Sequence, residues 1–187
     1  MSRRKSFKGQ FSMCVQPTFL IGTYDENQIP NFAPITWLSV TWDTDQHLLI
    51  ISMLGSKKTK KNILLTKQFS ANLVSTDMLH LVDYFSSCSG NDGIKNEISY
   101  DFSQGEVLQV PTLDQSKWVY ECEVRQVVQT GDSDTFFCNI RNIQIDERID
   151  LTKRLDLTQS DPVIYSGKYH SIKNCLGDMG DFYSRAE

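Results

Sequence analysis

The chain has 187 residues, enough for one domain with a hydrophobic core of its own. Apolar residues make up 40% and charged residues 22%, a globular composition, and a formal net charge of −4 leaves no general basic field for nucleic acid. No apolar run reaches membrane-spanning length and no apolar stretch follows the basic start MSRRKSFKGQ, so the cytoplasm is the expected compartment, with no membrane partner.

Residues 1–14 read as an arm and residues 15–187 as a single domain ending in a tail. "TFLIGTYD" is the first strand, closed by the polar turn "DENQ". "IPNFAPITWLSVTWD" reads as one long second strand segment, and the continuous apolar run "HLLIISML" as a third with both faces covered. These three suggest an antiparallel meander. Ser56 then fits the cap of a helix whose apolar side includes Ile63, Leu64 and Phe69. "FSANLV" is a short strand. "STDMLHLVDYFSSC" is a second helix with Ser75 as N-cap, followed by the loop "SGNDGIKN". Residues 98–116 read as irregular, punctuated by Gly105 and Pro111. "WVYECEVRQVVQT" and "TFFCNIRNIQID" form a hairpin across "TGDSD", and the tail carries one conspicuous patch, "DPVIYSGKYHSIKNCLG". The fold class is therefore mostly β with short helices, an antiparallel sheet closed to avoid exposed edges.

Five scattered cysteines, with no CxxC, read as free thiols, and the three histidines sit too far apart for a metal site. Three stretches could carry a ligand. Lys57, Lys58, Lys60 and Lys61 crowd the start of the first helix with Ser56 and Thr59 beside them, which suits a phosphate. A solvated lysine-rich face explains the same charges more simply. Pro34 interrupts a strand, so backbone from Ala33 through Ile35 and Thr36 to Trp37 is free for a flat heterocycle, or the strand is an ordinary sheet edge. Ser89 and Gly90 bring backbone close to a ligand, or end the second helix.

In this order the pieces resemble the flavin reductase-like, FMN-binding split-barrel family, the flavoredoxin group in particular. "QPTFLIGTYDENQIPNFAPITWLSV" is similar to the family's opening, and "GSKKTKKNI" to its phosphate segment at Ser56, Lys57, Thr59, Asn62 and Ile63. "FSANLVS", "VDYFSSCSG", the paired strands and "PVIYSGKYHSIKNCLGDMGDF" continue the likeness over residues 15–183. The resemblance implies a closed Greek-key FMN-binding barrel and a homodimer. It places the flavin phosphate at Ser56, Lys57 and Thr59 with Asn62 behind them, the ring edge at Pro34 to Trp37, the ribityl chain over Ser52 and Met53, and Ser89 and Gly90 near the cofactor. It implies an FMN-dependent oxidoreductase taking hydride from NADH or NADPH and passing electrons to a small-molecule or protein acceptor. The alternatives are a non-catalytic flavin-binding carrier and a phosphate- or RNA-binding module using the lysine cluster. One departure stands out: the turn that often reads Gly-Asp-His is Gly131, Asp132, Ser133 here, and Asn139 stands where glycine is common.

Overall fold

Runs of β-branched and aromatic residues become strands. A computed structural model describes residues 6, 14–87, 99–178 and 181. The main sheet holds β2 (Phe19–Tyr24), β3 (Pro30–Ile35), β4 (Leu38–Asp43), β5 (Gln46–Leu54), β6 (Gln68–Leu73), β9 (Trp118–Thr130) and β10 (Ser133–Ile145). All its pairings are antiparallel, in the order β3-β2-β6-β9-β10-β5-β4. β1 (Gln16–Pro17) pairs with β11 (Val163–Tyr165), which pairs with β12 (Tyr169–Ser171), so the start of the domain and its tail hold one another. β7 (Phe102–Gln104) pairs with β8 (Pro111–Leu113), which gives order to a stretch expected to be irregular. The helices are α1 (Lys58–Thr66) and α2 (Leu79–Ser87).

β3 and β4 are consecutive in the chain but lie at opposite edges of the sheet. Only Thr36 and Trp37 separate them, a link that reaches at most about 11 Å. The sheet must therefore roll until its two edges approach at that point. It does not close: among the described residues no ladder joins β3 to β4, which corrects the expected closed barrel, and the single second strand expected is two, β3 pairing antiparallel with β2 and β4 with β5 as the meander required. The link belongs to the β5 side, because the Ser52 N–H donates to the Trp37 carbonyl (3.0 Å) and the Leu38 N–H turns back to the Thr36 carbonyl (2.9 Å). Pro34 does sit on an edge strand, as a proline should.

Alternation along β2 splits the core in two. Phe19 and Ile21 face a cluster with Leu49, Ile51, Phe69 and Phe136, while Leu20 faces Phe32, Met78, Val82 and Phe85 under α2. The β9–β10 turn has two residues, Gly131 and Asp132; Gly131 has φ +58°, as the first position of a type II′ turn requires. Lys67, with φ 58°, ends α1 in a left-handed cap, so Phe69 belongs to β6. Ser75 precedes a single 3-10 turn, Thr76–Met78, and its hydroxyl bonds the Asp77 carboxylate instead of capping the backbone.

The most demanding buried group is Glu121 on β9, fully inaccessible. Its carboxylate accepts from the N–H groups of Glu106 (3.0 Å), Val107 (2.9 Å) and Leu108 (2.7 Å), and from the amides of Asn142 (2.7 Å) and Gln144 (2.9 Å). It thereby pins the loop between β7 and β8 to the sheet, and Gly105 is needed there because a Cβ would come within 2.7 Å of Glu121 Oε2. Burial pushes the Glu121 carboxyl up, but Asn142, the Leu108 N–H, Gln144 and the Val107 N–H together outweigh it and leave the group below its ordinary 4.5. A depressed folded pKa contributes stability that is complete above 4.5 and is lost as pH falls through the lower folded value. Glu121→Gln should therefore cost about 2 kcal/mol at neutral pH in urea unfolding. The difference from wild type should shrink as pH falls below 4.5.

Candidate functional site

α1 starts one residue later than expected. Lys57 is its N-cap, extended at φ −126° and ψ 144°, with no side-chain cap, and Ser56 lies exposed before it. Within α1, Thr59 and Asn62 are buried, each 3% exposed. Asn31 Nδ2 donates to Thr59 Oγ1 (2.8 Å) and Asn62 Nδ2 donates to Thr23 Oγ1 (3.0 Å), so both side chains fasten the helix to β2 and β3. Leu64, expected on the apolar side, is exposed.

The four lysines divide by partner. Lys58 pairs with Asp25 (3.1 Å), at the turn between β2 and β3. Burial raises the Asp25 carboxyl, but the N–H of Ile29, Lys58 and the N–H of Asn27 outweigh that and hold it below the ordinary carboxylate range. Lys60 pairs with Asp134 (2.9 Å) and donates to the Asp132 carbonyl (3.4 Å). Lys57 and Lys61 are exposed and make no ion pair among the described residues. An ammonium carries three donors, so Lys60 keeps one free after its two contacts. It lines a cleft of about 530 Å³ together with Ser56, Lys57, Lys61, Gln129 and Asp132.

A second cleft, of about 520 Å³, is walled by Thr36, Trp37, Ser39, Ser52, Ser133 and Thr135, with β1 at its margin. No charged side chain lines it among the described residues. The hydroxyls of Ser52 and Thr135, paired across β5 and β10, are 2.8 Å apart. The two clefts are neighbours. Asp132 and Ser133, adjacent in the chain, line different ones, and Ser52 in one is four residues from Ser56 in the other. One end is lined by lysines and the other is neutral, with the uncharged donors and acceptors of Thr36, Ser39, Ser52, Ser133 and Thr135.

That arrangement fits a ligand with an anionic tail and a planar head. The sequence profile of the flavin reductase like domain matches residues 11–173. The chain belongs to the flavin reductase-like family. A flavoredoxin from Methanosarcina acetivorans has the same fold at TM-score 0.86 and 18% identity, covering 97% of each chain. The flavoredoxin of Desulfovibrio vulgaris (Miyazaki F) is similar at TM-score 0.85 and 20% identity, covering 96% of this chain and 99% of that one. An FMN-binding protein from Thermus thermophilus with bound p-hydroxybenzaldehyde is similar at TM-score 0.73 and 22% identity, covering 91% and 95%. No curated protein matches the sequence.

Of the residues singled out in this flavin reductase-like chain, Thr36, Trp37 and Ser52 come together in the neutral cleft, and Ser56 and Lys57 in the cationic one. Ala33, Pro34 and Ile35 lie along β3 and line neither cleft, and Met53 is 2% exposed inside the core. Ser89 and Gly90 lie outside the described residues. Sequence reasoning did not assign Lys60, Gln129, Asp132, Ser133 or Thr135 to a site, although the departure at the 131–135 turn had drawn notice. Among the described residues no group of histidine, cysteine or carboxylate side chains could hold a metal ion, and no helix is long and apolar enough to cross a membrane.

The division of α1 into fastening and cleft residues is testable by unfolding. Thr59→Val leaves the buried Asn31 amide without its acceptor and should cost about 1–3 kcal/mol. Lys57→Met, at an exposed position, should change stability by no more than about 0.5 kcal/mol.

Proposed function

We propose that the protein binds FMN across the two clefts and acts as a flavin-dependent oxidoreductase, taking hydride from NADH or NADPH and passing electrons to a small-molecule or protein acceptor. The observation that carries this reading is the adjacency of a lysine-lined cleft and a neutral hydroxyl-lined cleft at the end of β5. Ser52 to Ser56 spans at most about 14 Å, the kind of interval a polyol chain bridges between a ring and a phosphate. The donor set fits the group. Lys57, Lys61 and the remaining donor of Lys60 suit a phosphate dianion. The half-exposed Trp37 side chain suits a flat heterocycle, while the carbonyls of Thr36 and Trp37 are taken by the N–H groups of Leu38 and Ser52.

When bound, the flavin supplies the hydride-accepting chemistry, and the protein supplies position and electrostatics. Lys57, Lys60 and Lys61 hold the phosphate and fix the ligand's register. Ser52 and Thr135 exchange a hydrogen bond that keeps both hydroxyls at the cleft floor, ready to meet polar atoms of the ring or its chain. Trp37 is half exposed in the lining of the neutral cleft, where its ring would cover part of the bound head group. The neutral cleft offers no histidine, carboxylate or lysine among the described residues, so no protein proton donor is assigned to the reaction.

That same lack favours a second reading, a flavin-binding electron carrier. Ser133 lines the neutral cleft at the position where the family's turn often carries a histidine. The lysine cluster is a poor nucleic-acid track, since Asp25 and Asp134 already engage two of its charges. We also propose a homodimer, because β4 is an edge strand that exposes Val40 and Trp42 beside Trp37. Free thiols at Cys14, Cys122, Cys138 and Cys175 suit a reducing cytoplasm.

Two measurements test this. Lys57→Met with Lys61→Met should weaken FMN binding roughly tenfold or more per lost charge-assisted bond and leave riboflavin binding unchanged. Anaerobic NADH or NADPH should bleach the flavin absorption of the loaded protein; persistence of colour with both nucleotides would select the carrier instead.

A further inference from the structure

A third cavity lies against the neutral cleft and shares with it the wall formed by Val15, Leu38 and Ser39. Its volume is about 310 Å³. β1 at Pro17, the starts of β2, β4 and β9, the end of β6 and the segment from Leu155 to Ile164 all contribute to it, so its walls come from several elements, while Val15, Val40, Leu155 and Leu157 in its lining stay exposed. Phe19, Trp118 and Tyr120 make an aromatic wall, with ring centroids 6.2 Å apart for Phe19–Tyr120 and 6.1 Å for Trp118–Tyr120. No charged residue lines the chamber among the described residues, and the polar groups of its lining side chains are the hydroxyls of Ser39, Ser160 and Tyr120 and the buried indole N–H of Trp118. Burial pushes the Tyr120 hydroxyl up, so it stays protonated and able to donate.

These properties select an occupant. The volume is near the bottom of the range of about 300–1,000 Å³ typical of small-molecule pockets, too small for an inserted helix or strand. Aromatic walls favour a planar ring. An ionised group would lose its hydration with no counter-charge in return. We propose that the chamber binds a small uncharged ring compound bearing a carbonyl oxygen, held beside the cleft assigned to the flavin ring. This rests on the flavin reading for its neighbour, though the chamber itself is formed by the chain alone.

Benzaldehyde and benzoate make the test, since they share size and shape and differ in charge. Each is titrated calorimetrically into FMN-loaded and FMN-free protein. Benzaldehyde should bind both forms more tightly than benzoate by about tenfold or more. Leu157→Asp and Leu155→Asp each change an exposed residue that lines the chamber and neither flavin cleft. Both should weaken benzaldehyde binding by about tenfold and leave FMN affinity and oligomeric mass unchanged. Equal binding of the two compounds, no binding of benzaldehyde, or indifference to both variants overturns the proposal. So does a change in oligomeric mass in Leu157→Asp without benzaldehyde binding, which would give the chamber to a second copy of the chain. Failure to bind FMN, with benzaldehyde still bound, would overturn the flavin reading and leave the chamber standing.

Discussion

Thr36 and Trp37 join the two strands that lie farthest apart in the main sheet. Because a two-residue link is so short, the seven strands cannot lie flat. They roll, and the point where the edges approach is also a wall of the neutral cleft. The covalent constraint that shapes the sheet thus also shapes the cleft proposed for the planar part of the ligand. The carbonyl of Trp37 is occupied by the Ser52 N–H, so the link, β5 and the cleft floor are held as one unit.

Buried polar contacts set the other half of the geometry. Thr59 and Asn62 fasten α1 to β3 and β2, and the Lys58–Asp25 pair ties the helix start to the turn between those strands. Lys60 reaches the opposite wall, Asp132 and Asp134 on the β9–β10 hairpin. The helix is therefore gripped on two sides, and its remaining lysines are presented at a fixed place. Rigid elements locate a binding group more accurately than loops do. Glu121 serves the same end farther off, since five donors converge on it and hold the β7–β8 loop against β9 and β10.

Much of this was legible in the sequence. Apolar and β-branched runs located the main strands, the lysine cluster pointed to the cleft it lines, and the interruption expected at Pro34 falls two residues before the actual break at Thr36 and Trp37. What the sequence hid was direction and register. Thr59 and Asn62 look like phosphate ligands until their side chains are seen turned into the sheet, because helical spacing does not tell which face a short polar group serves. Thr135 joins the site only through its pairing with Ser52, 83 positions away. The closed barrel failed for a related reason: local strand patterns do not state whether the last two edges form a ladder. The tail's strands are hidden in the sequence because β11 finds its partner in β1, which at two residues is too short to show a pattern.

The central claim is that one ligand lies across both clefts with its phosphate at the lysines. The most direct measurement is the amide chemical-shift response of the protein to FMN and to riboflavin. FMN should shift Gly55 to Lys61 and also Thr36, Trp37, Ser52 and Ser133 to Thr135, while riboflavin should shift only the second group. Shifts confined to other parts of the chain, or riboflavin reproducing the full FMN pattern, would contradict it.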